Sequence, residues 1–429
     1  MQQLAEAGLD RRTLAQAAAS LRGEAVSMLS DLVRLPSLLG DEASAQAYMA
    51  DRFEELGLAV ERFDIDEERL KAHPGWSPSI VSYDGRPNVV GVHRPKVARG
   101  RSLILNGHID VVPVGAPMLW TSPPFEPRVD GDRLYGRGAA DMKAGIVSYT
   151  MAYEALRLLG VEPAAKVCLQ SVIEEECTGN GALACLVHGH HADAAIIPEP
   201  LPHILVGQLG VMWLTLEVWG VPVHASVAHT GTNAIDAARN LFGELKVLER
   251  EWNAPASRHR LWCRHEHPIN FNLGRLEGGE WPSSVATTCR ADIRLSFYPG
   301  MSTAQARAAV ETRLAEAHAA SPLRDKVSYR VVYRGFQSEG CVLDAAEPMV
   351  TTLAQCHRDV SGREVDFEVS TGTTDARSFN LYGPIPATCY GPAGASIHGI
   401  DEWVSIDSMM QVTEVLALFM ARWCGLNRS

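Results

Sequence analysis

The rhythm of apolar residues changes near Val206, and that change limits how the chain can be divided. Before it, short apolar runs alternate with segments of helical period. Asn88-Val89-Val90-Gly91-Val92, Ser102-Leu103-Ile104-Leu105, Val167 to Ile173 and Ala194 to Ile197 read as strands. Residues 11–33, 42–56, 143–159 and 180–187 read as helices. In the first of these Leu14, Ala17, Leu21, Ala25, Met28 and Leu32 share one face, and Pro36 ends the run. Strands alternating with helices imply an α/β layer whose central sheet is largely parallel and flanked by helices.

After Val206 the order differs. Val211 to Trp219 is a longer strand with partial alternation. A helix is expected over 233–250, strands over 268–276 and 285–297, a helix over 302–319 and a strand over 327–334. Strand-helix-strand-strand-helix-strand is the order of a ferredoxin-like α+β unit. Beyond about residue 338 the first rhythm returns. Residues 1–205 and 339–429 are therefore expected to form one discontinuous domain, with 206–338 inserted as a second. A length of 429 residues suits two or three domains.

The net charge of -12 argues against a nucleic-acid binder, which needs a basic face for phosphates. The N-terminal residues lack a basic start followed by an apolar run, so no secretory signal is expected. No apolar run is long enough for a membrane span. Nine cysteines are scattered without a CxxC pair, which points to reduced, mostly buried thiols and a cytoplasmic protein.

Acids and histidines gather just past the expected strand ends, where α/β sheets place their chemistry. His108 and Asp110 follow Leu103-Ile104-Leu105 and are two apart on extended chain, so they project to one side. Asp141 lies in the glycine-rich turn Gly136-Arg137-Gly138-Ala139-Ala140-Asp141, where a helix N-cap is the ordinary reading. Glu174-Glu175-Glu176 follows the apolar run ending at Ile173, and such adjacent carboxylates repel unless cations or protons compensate. Glu199 follows Ile196-Ile197-Pro198, and His398 sits in a glycine-rich loop near the C-terminus. Singly, each has an ordinary structural explanation.

Together and in this order they resemble a known family. It is the metallopeptidase and deacylase family of acetylornithine deacetylase, succinyl-diaminopimelate desuccinylase, aminoacylase and glutamate carboxypeptidase. The matching motifs are GHIDVVP at 107–113, GRGAADMKAG at 136–145, EEECTGNGA at 174–182, PEP at 198–200, HAS at 224–226 and HG at 398–399. The resemblance implies two divalent ions, zinc first, with cobalt or manganese as alternatives. His108, Asp141 and Glu199 would hold one; Asp141, Glu176 and His398 would hold the other, with Asp141 bridging. Asp110 would orient His108. Family members place a glycine six residues after the catalytic glutamate; Gly181 selects Glu175 as general base and leaves Glu176 as ligand, although Thr178 stands where glycine is frequent.

His224 resembles the histidine that reaches into a partner subunit's active site, which implies a homodimer built through the inserted domains. Arg294 and Arg377 are candidates to pair with a substrate carboxylate, and Asn272 for a polar contact. For each an ordinary surface ion pair is the alternative. His188, His190 and His191 are read as a solvent-facing tract, and the acidic run Asp64 to Glu68 as a solvated turn. The implied activity is hydrolysis of the amide bond of a small N-acyl amino acid or N-acyl amine, through a water bridging the metals. A glutamate at 199 goes with deacylases and carboxypeptidases in that family. The alternatives are a metal-dependent dipeptidase or aminopeptidase, and an inactive binding protein on the same scaffold.

Overall fold

In the computed structural model, which describes residues 10–428, the expected strands form. Along the chain, with the first and the last named here added to those expected, the strands are β1 (Ala59–Phe63), β2 (Asn88–His93), β3 (Leu103–His108), β4 (Val167–Val172) and β5 (Ala195–Ile197). There follow β6 (Gly210–Trp219), β7 (Asn272–Gly278), β8 (Thr288–Phe297) and β9 (Ser328–Ser338), and then the other addition, β10 (Ala387–Cys389). The helices used below are α1 (Ala144–Leu158), α2 (Asn180–His188), α3 (Ala234–Asn253), α4 (Thr303–Ala320) and α5 (Ile406–Cys424).

The first sheet has the order β1-β2-β4-β3-β5-β10. Strands β4, β3, β5 and β10 run parallel, and β1 and β2 are antiparallel to their neighbours. Every residue of β2, β3 and β4 is buried, as expected for strands covered on both faces. Helix α1 is buried along most of its length and packs against α5. The expected helix over 11–33 is instead two, Arg11–Ser20 and Arg22–Arg34, meeting at Leu21. Gly23 beside the junction gives no propensity to bridge it.

The second sheet is antiparallel with the order β7-β8-β6-β9. This is the ferredoxin-like arrangement, with the first and third strands of the unit at its centre. Helices α3 and α4 supply Leu241, Leu245, Val310 and Leu314 to a core with Leu214, Leu216, Ile293 and Leu295. Asn233 caps α3 through the N–H groups of Ile235 and Asp236. Ser302 and Gln305 form a capping box on α4.

Three of the five sheets among the described residues were not expected, and one of them is three-stranded. Ile204–Gln208 pairs in parallel with Phe367–Ser370 and antiparallel with Cys341–Val342. It lies where the chain enters and leaves the ferredoxin-like unit, so backbone hydrogen bonds tie both crossings together. The acidic run also differs from a plain turn: Asp66 caps a short helix, Glu67–Lys71. Eight of the nine cysteines are buried and Cys263 is exposed, all as free thiols. Among the described residues no helix is long and apolar enough to cross a membrane.

Candidate metal centre

The parallel strands end at one rim, and there the chain turns polar. β3 ends on His108. β4 leads through Ile173 into Glu174-Glu175-Glu176, β5 leads through Pro198 to Glu199, and β10 leads into the loop that carries His398. Asp141 arrives from the turn before α1. Its position is fixed by a residue that sequence reasoning passed over. The buried Glu402 carboxylate accepts the N–H groups of Gly138 at 3.0 Å, Ala140 at 2.9 Å and Asp141 at 3.0 Å, and receives Arg137 at 2.6 Å. Arg137 also donates to the carbonyl of Gly399 at 2.9 Å, fastening the His398 loop to the same turn. His398 itself has φ of +59°, an uncommon backbone region for a side chain larger than glycine.

The side chains converge in two groups. His108 Nε2 lies 3.2 Å from Asp141 Oδ1 and 3.8 Å from Glu199 Oε2. His398 Nε2 lies 3.1 Å from the Glu176 carboxylate and 3.3 Å from Asp141 Oδ2. Asp141 thus offers one oxygen to each group. Within each of the sets His108, Asp141, Glu199 and Asp141, Glu176, His398, donor atoms lie no more than 4.8 Å apart. Glu175 Oε2 is 3.9 Å from His108 Nε2, beside the first group.

The three consecutive glutamates separate cleanly. Glu174 is fully buried and turned away: its carboxylate receives Arg86 at 2.7 Å and the Thr178 hydroxyl at 2.9 Å. A φ of +71° at Glu174 reverses the chain and sends Glu175 and Glu176 to the centre. His108 is oriented by the backbone carbonyl of Asp110, 2.9 Å from Nδ1, while the Asp110 carboxylate stands 3.7 Å off.

The carboxylates of Asp110, Asp141, Glu175, Glu176 and Glu199 all lie within 3.9 Å of His108 or His398. Burial, with Asp375, Glu199 and Glu176 nearby, raises the Glu175 carboxyl well above its usual range. Burial likewise raises Glu199 and takes Asp110 to about 7. Hydrogen bonds to Asp141 and Glu176 push His398 to about 11. Asp375 is a second residue missed from sequence: it is fully buried, neither carboxylate oxygen has a hydrogen-bond partner, and burial takes it to about 6. Five carboxylates gathered around two imidazoles mark a site that attracts cations. Mixed imidazole and carboxylate donors at these spacings fit two borderline divalent ions.

A cavity of about 750 Å³ opens onto Glu175, Glu176 and His398. Its walls include Ile80, Trp213 and Phe336, with Asn272, Arg294 and Arg334 as polar groups. Asn272 and Arg294 thus line the cavity onto which Glu175, Glu176 and His398 open. Arg377 does not. Its buried guanidinium donates to the carbonyls of Thr178 at 3.0 Å and Thr374 at 2.9 Å, so the expectation of a substrate-facing cation is corrected to a buried loop tie. His224 is also apart from the centre. It is exposed beyond β6, and its Nδ1 accepts the N–H of Ser226 at 3.1 Å.

Fold and site together define a co-catalytic metallohydrolase, and the sequence agrees: the chain belongs to peptidase family M20/M25/M40, whose family model matches residues 104–422. Within it, the chain is 28% identical over 432 residues to the N-formyl-4-amino-5-aminomethyl-2-methylpyrimidine deformylase of Halalkalibacterium halodurans, covering 95% of this chain and 96% of that one. It is 26% identical to the succinyl-diaminopimelate desuccinylase of Gluconacetobacter diazotrophicus, covering 94% and 97%. Human carnosine dipeptidase 1 shares the fold, with a TM-score of 0.77 at 17% identity over 97% of this chain and 100% of that one.

Proposed function

We propose that the chain hydrolyses the amide bond of a small N-acyl amine or N-acyl amino acid, with two zinc ions as the native metals. The observation that carries this reading is the cavity of about 750 Å³ that opens onto Glu175, a volume suited to a small molecule and closed to a folded polypeptide. The deformylase and desuccinylase names of two relatives support an acyl group on nitrogen as the target. His108, Asp141 and Glu199 would hold one ion, and Asp141, Glu176 and His398 the other. When bound, such a pair supplies an acidified water and polarises the acyl carbonyl.

The chain's own residues do the rest. Glu175 takes the proton from water and returns it to the leaving nitrogen, the task of a carboxyl whose proton affinity burial raises above that of a free glutamate. The Asp110 carbonyl keeps His108 in register. Trp213 and Phe336, an edge-to-face pair with ring centres 5.4 Å apart, offer an apolar wall to the amine portion. Arg294 and Asn272 would receive a carboxylate or other polar group on it.

The same reading divides the chain into a catalytic domain of residues 1–205 and 339–429 and an inserted domain of 206–338. In support, the buried residues of the second core run only from Leu209 to Val327. We infer a homodimer through that domain, with His224 donating to the oxyanion in the partner's centre. Its edge strand β7 is exposed along most of its length and has one free edge, as an interface strand would. The free thiols favour a reducing, cytoplasmic setting.

A hydrolysis panel tests the proposal. N-formyl, N-acetyl, N-succinyl and N-carbamoyl amines are offered beside dipeptides, with zinc, cobalt or manganese added. Turnover of an N-acyl amine without a free α-amine is expected, with about two ions in the centre. Activity confined to peptides with a free α-amine would make the chain a peptidase. No turnover of any compound by the metal-loaded protein would leave a binding protein.

A further inference from the structure

Away from this centre, the described residues hold one other cluster of metal-ligating groups, Glu61, His188 and His190. Its sequence reading as a solvent-facing tract fails at His190, which is 4% exposed. Helix α2 ends on His188, and Gly189 at φ +109° turns the chain back so that the His190 N–H reaches the carbonyl of Cys185 at 3.0 Å. That turn sets both imidazoles against the edge strand β1. Glu61 and Phe63 are two apart on β1 and share a face. Phe63 stacks on the His188 ring, centroids 4.0 Å apart and 3° from parallel, and fixes its orientation.

The spacing is longer than a hydrogen bond and near that of two ligands on one ion. His190 Nε2 lies 3.4 Å from Glu61 Oε2, and His188 Nε2 lies 3.8 Å from the same oxygen. Hydrogen bonds between such atoms run to about 3.2 Å. Ligands about 2.0–2.2 Å from a tetrahedral zinc stand roughly 3.3–3.5 Å from one another. His190 Nε2 is buried and has no hydrogen-bond partner, although it points at the cluster. A buried polar nitrogen left without a partner calls for one. The other Glu61 oxygen, Oε1, faces Arg94 at 3.7 Å, which leaves Oε2 for the cluster. Two imidazoles and a single carboxylate oxygen suit zinc and disfavour calcium or magnesium.

We propose that Glu61, His188 and His190 bind one further divalent ion, of the zinc class, which fastens the C-terminal end of α2 to the edge of the sheet. Helix α2 begins directly after the loop of Glu175 and Glu176, so the ion would brace that loop from its far end.

Zinc content per chain after dialysis against buffered Zn²⁺ tests this on the full-length protein. Wild type should retain one ion more than Glu61→Gln and one more than His188→Gln. Both positions are partly exposed, and neither touches the centre, so turnover should be kept. A rise in Tm on adding zinc beyond the amount that saturates activity should appear in wild type and vanish in both variants. Equal zinc content in wild type and variants would overturn the proposal, as would an equal rise in Tm. If the two-ion reading of the centre fails, all totals fall together, while the difference of one persists.

Discussion

The Asp110 carboxylate accepts the backbone N–H of Glu175 at 3.2 Å, and its second oxygen accepts that of Glu176 at 3.0 Å. Asp110 therefore governs the loop that carries Glu175 and Glu176, the proposed base and ligand, and it reaches His108 chiefly through its backbone carbonyl. Asp110→Ala should lower kcat/KM by about 10–100-fold, the usual cost of losing a partner behind a metal site. Asp110→Asn, which keeps one acceptor oxygen, should fall between that variant and wild type. Steady-state kinetics with metal content measured in parallel would check this. Wild-type kcat/KM in Asp110→Ala would mean that the loop holds its own shape.

Glu175 and Glu174 are neighbours in sequence with opposite surroundings, and their variants should fail differently. Glu175→Ala should lose about 10²–10⁴ in kcat, as expected for a general base, while keeping its metal. Glu174→Ala removes one of the two buried carboxylates on Arg86, which keeps Glu42, and should cost about 1.5–3 kcal/mol of stability, the worth of a hydrogen bond between charged groups. Its activity per folded molecule should change far less. Denaturant melts beside kinetics separate the two. A stable but inactive Glu174→Ala would exchange the two roles.

What was legible in the sequence follows from range. His108, Asp141, Glu176, Glu199 and His398 could be named because each lies next to a local signal, either an apolar strand run or a glycine-rich turn. Glu402 carried no such mark. It acts on residues some 260 positions away through three backbone N–H groups, and nothing near Trp403 announces that. Asp375 was in view in the same loop as Arg377, yet only folding decides which of the two side chains faces inward and with what partners. The Ile204–Gln208 strand was missed because it pairs with segments beyond the inserted unit. His190 was misread because a polar tract after a helix usually meets water, and here the Gly189 turn folds it onto β1.

Arg377 offers a direct check on that correction. A substrate-binding arginine would raise KM when removed. The buried guanidinium instead satisfies the carbonyls of Thr178 and Thr374, and its charge partly offsets that of Asp375. Arg377→Ala should thus lower stability by about 1–3 kcal/mol, the cost of stranding buried acceptors, with KM nearly unchanged in the folded fraction. Gly179→Ala should report the same packing, because an added Cβ would fall 1.8 Å from Arg377 Nη2 at a residue with φ of +67°. A large rise in KM for Arg377→Ala at wild-type stability would return the residue to the substrate.

His224 is exposed and makes no hydrogen bond or ion pair with the centre among the described residues, so a part in the chemistry would require a second chain. If it donates to the oxyanion across a dimer, His224→Ala should lower kcat by about 10²–10³-fold and leave metal content and Tm as in wild type. Mixing then becomes decisive. A heterodimer of His224→Ala and Glu175→Ala contains one centre with an intact Glu175 that faces an intact His224, and one centre lacking both. Mixed subunits should therefore recover up to about half of the wild-type activity per heterodimer, whereas each parent homodimer stays inactive. Were His224 to serve its own chain, neither centre of the heterodimer would be whole and mixing would restore nothing. Activity assayed on heterodimers purified through two different tags distinguishes the outcomes, because the fraction of mixed species is then known.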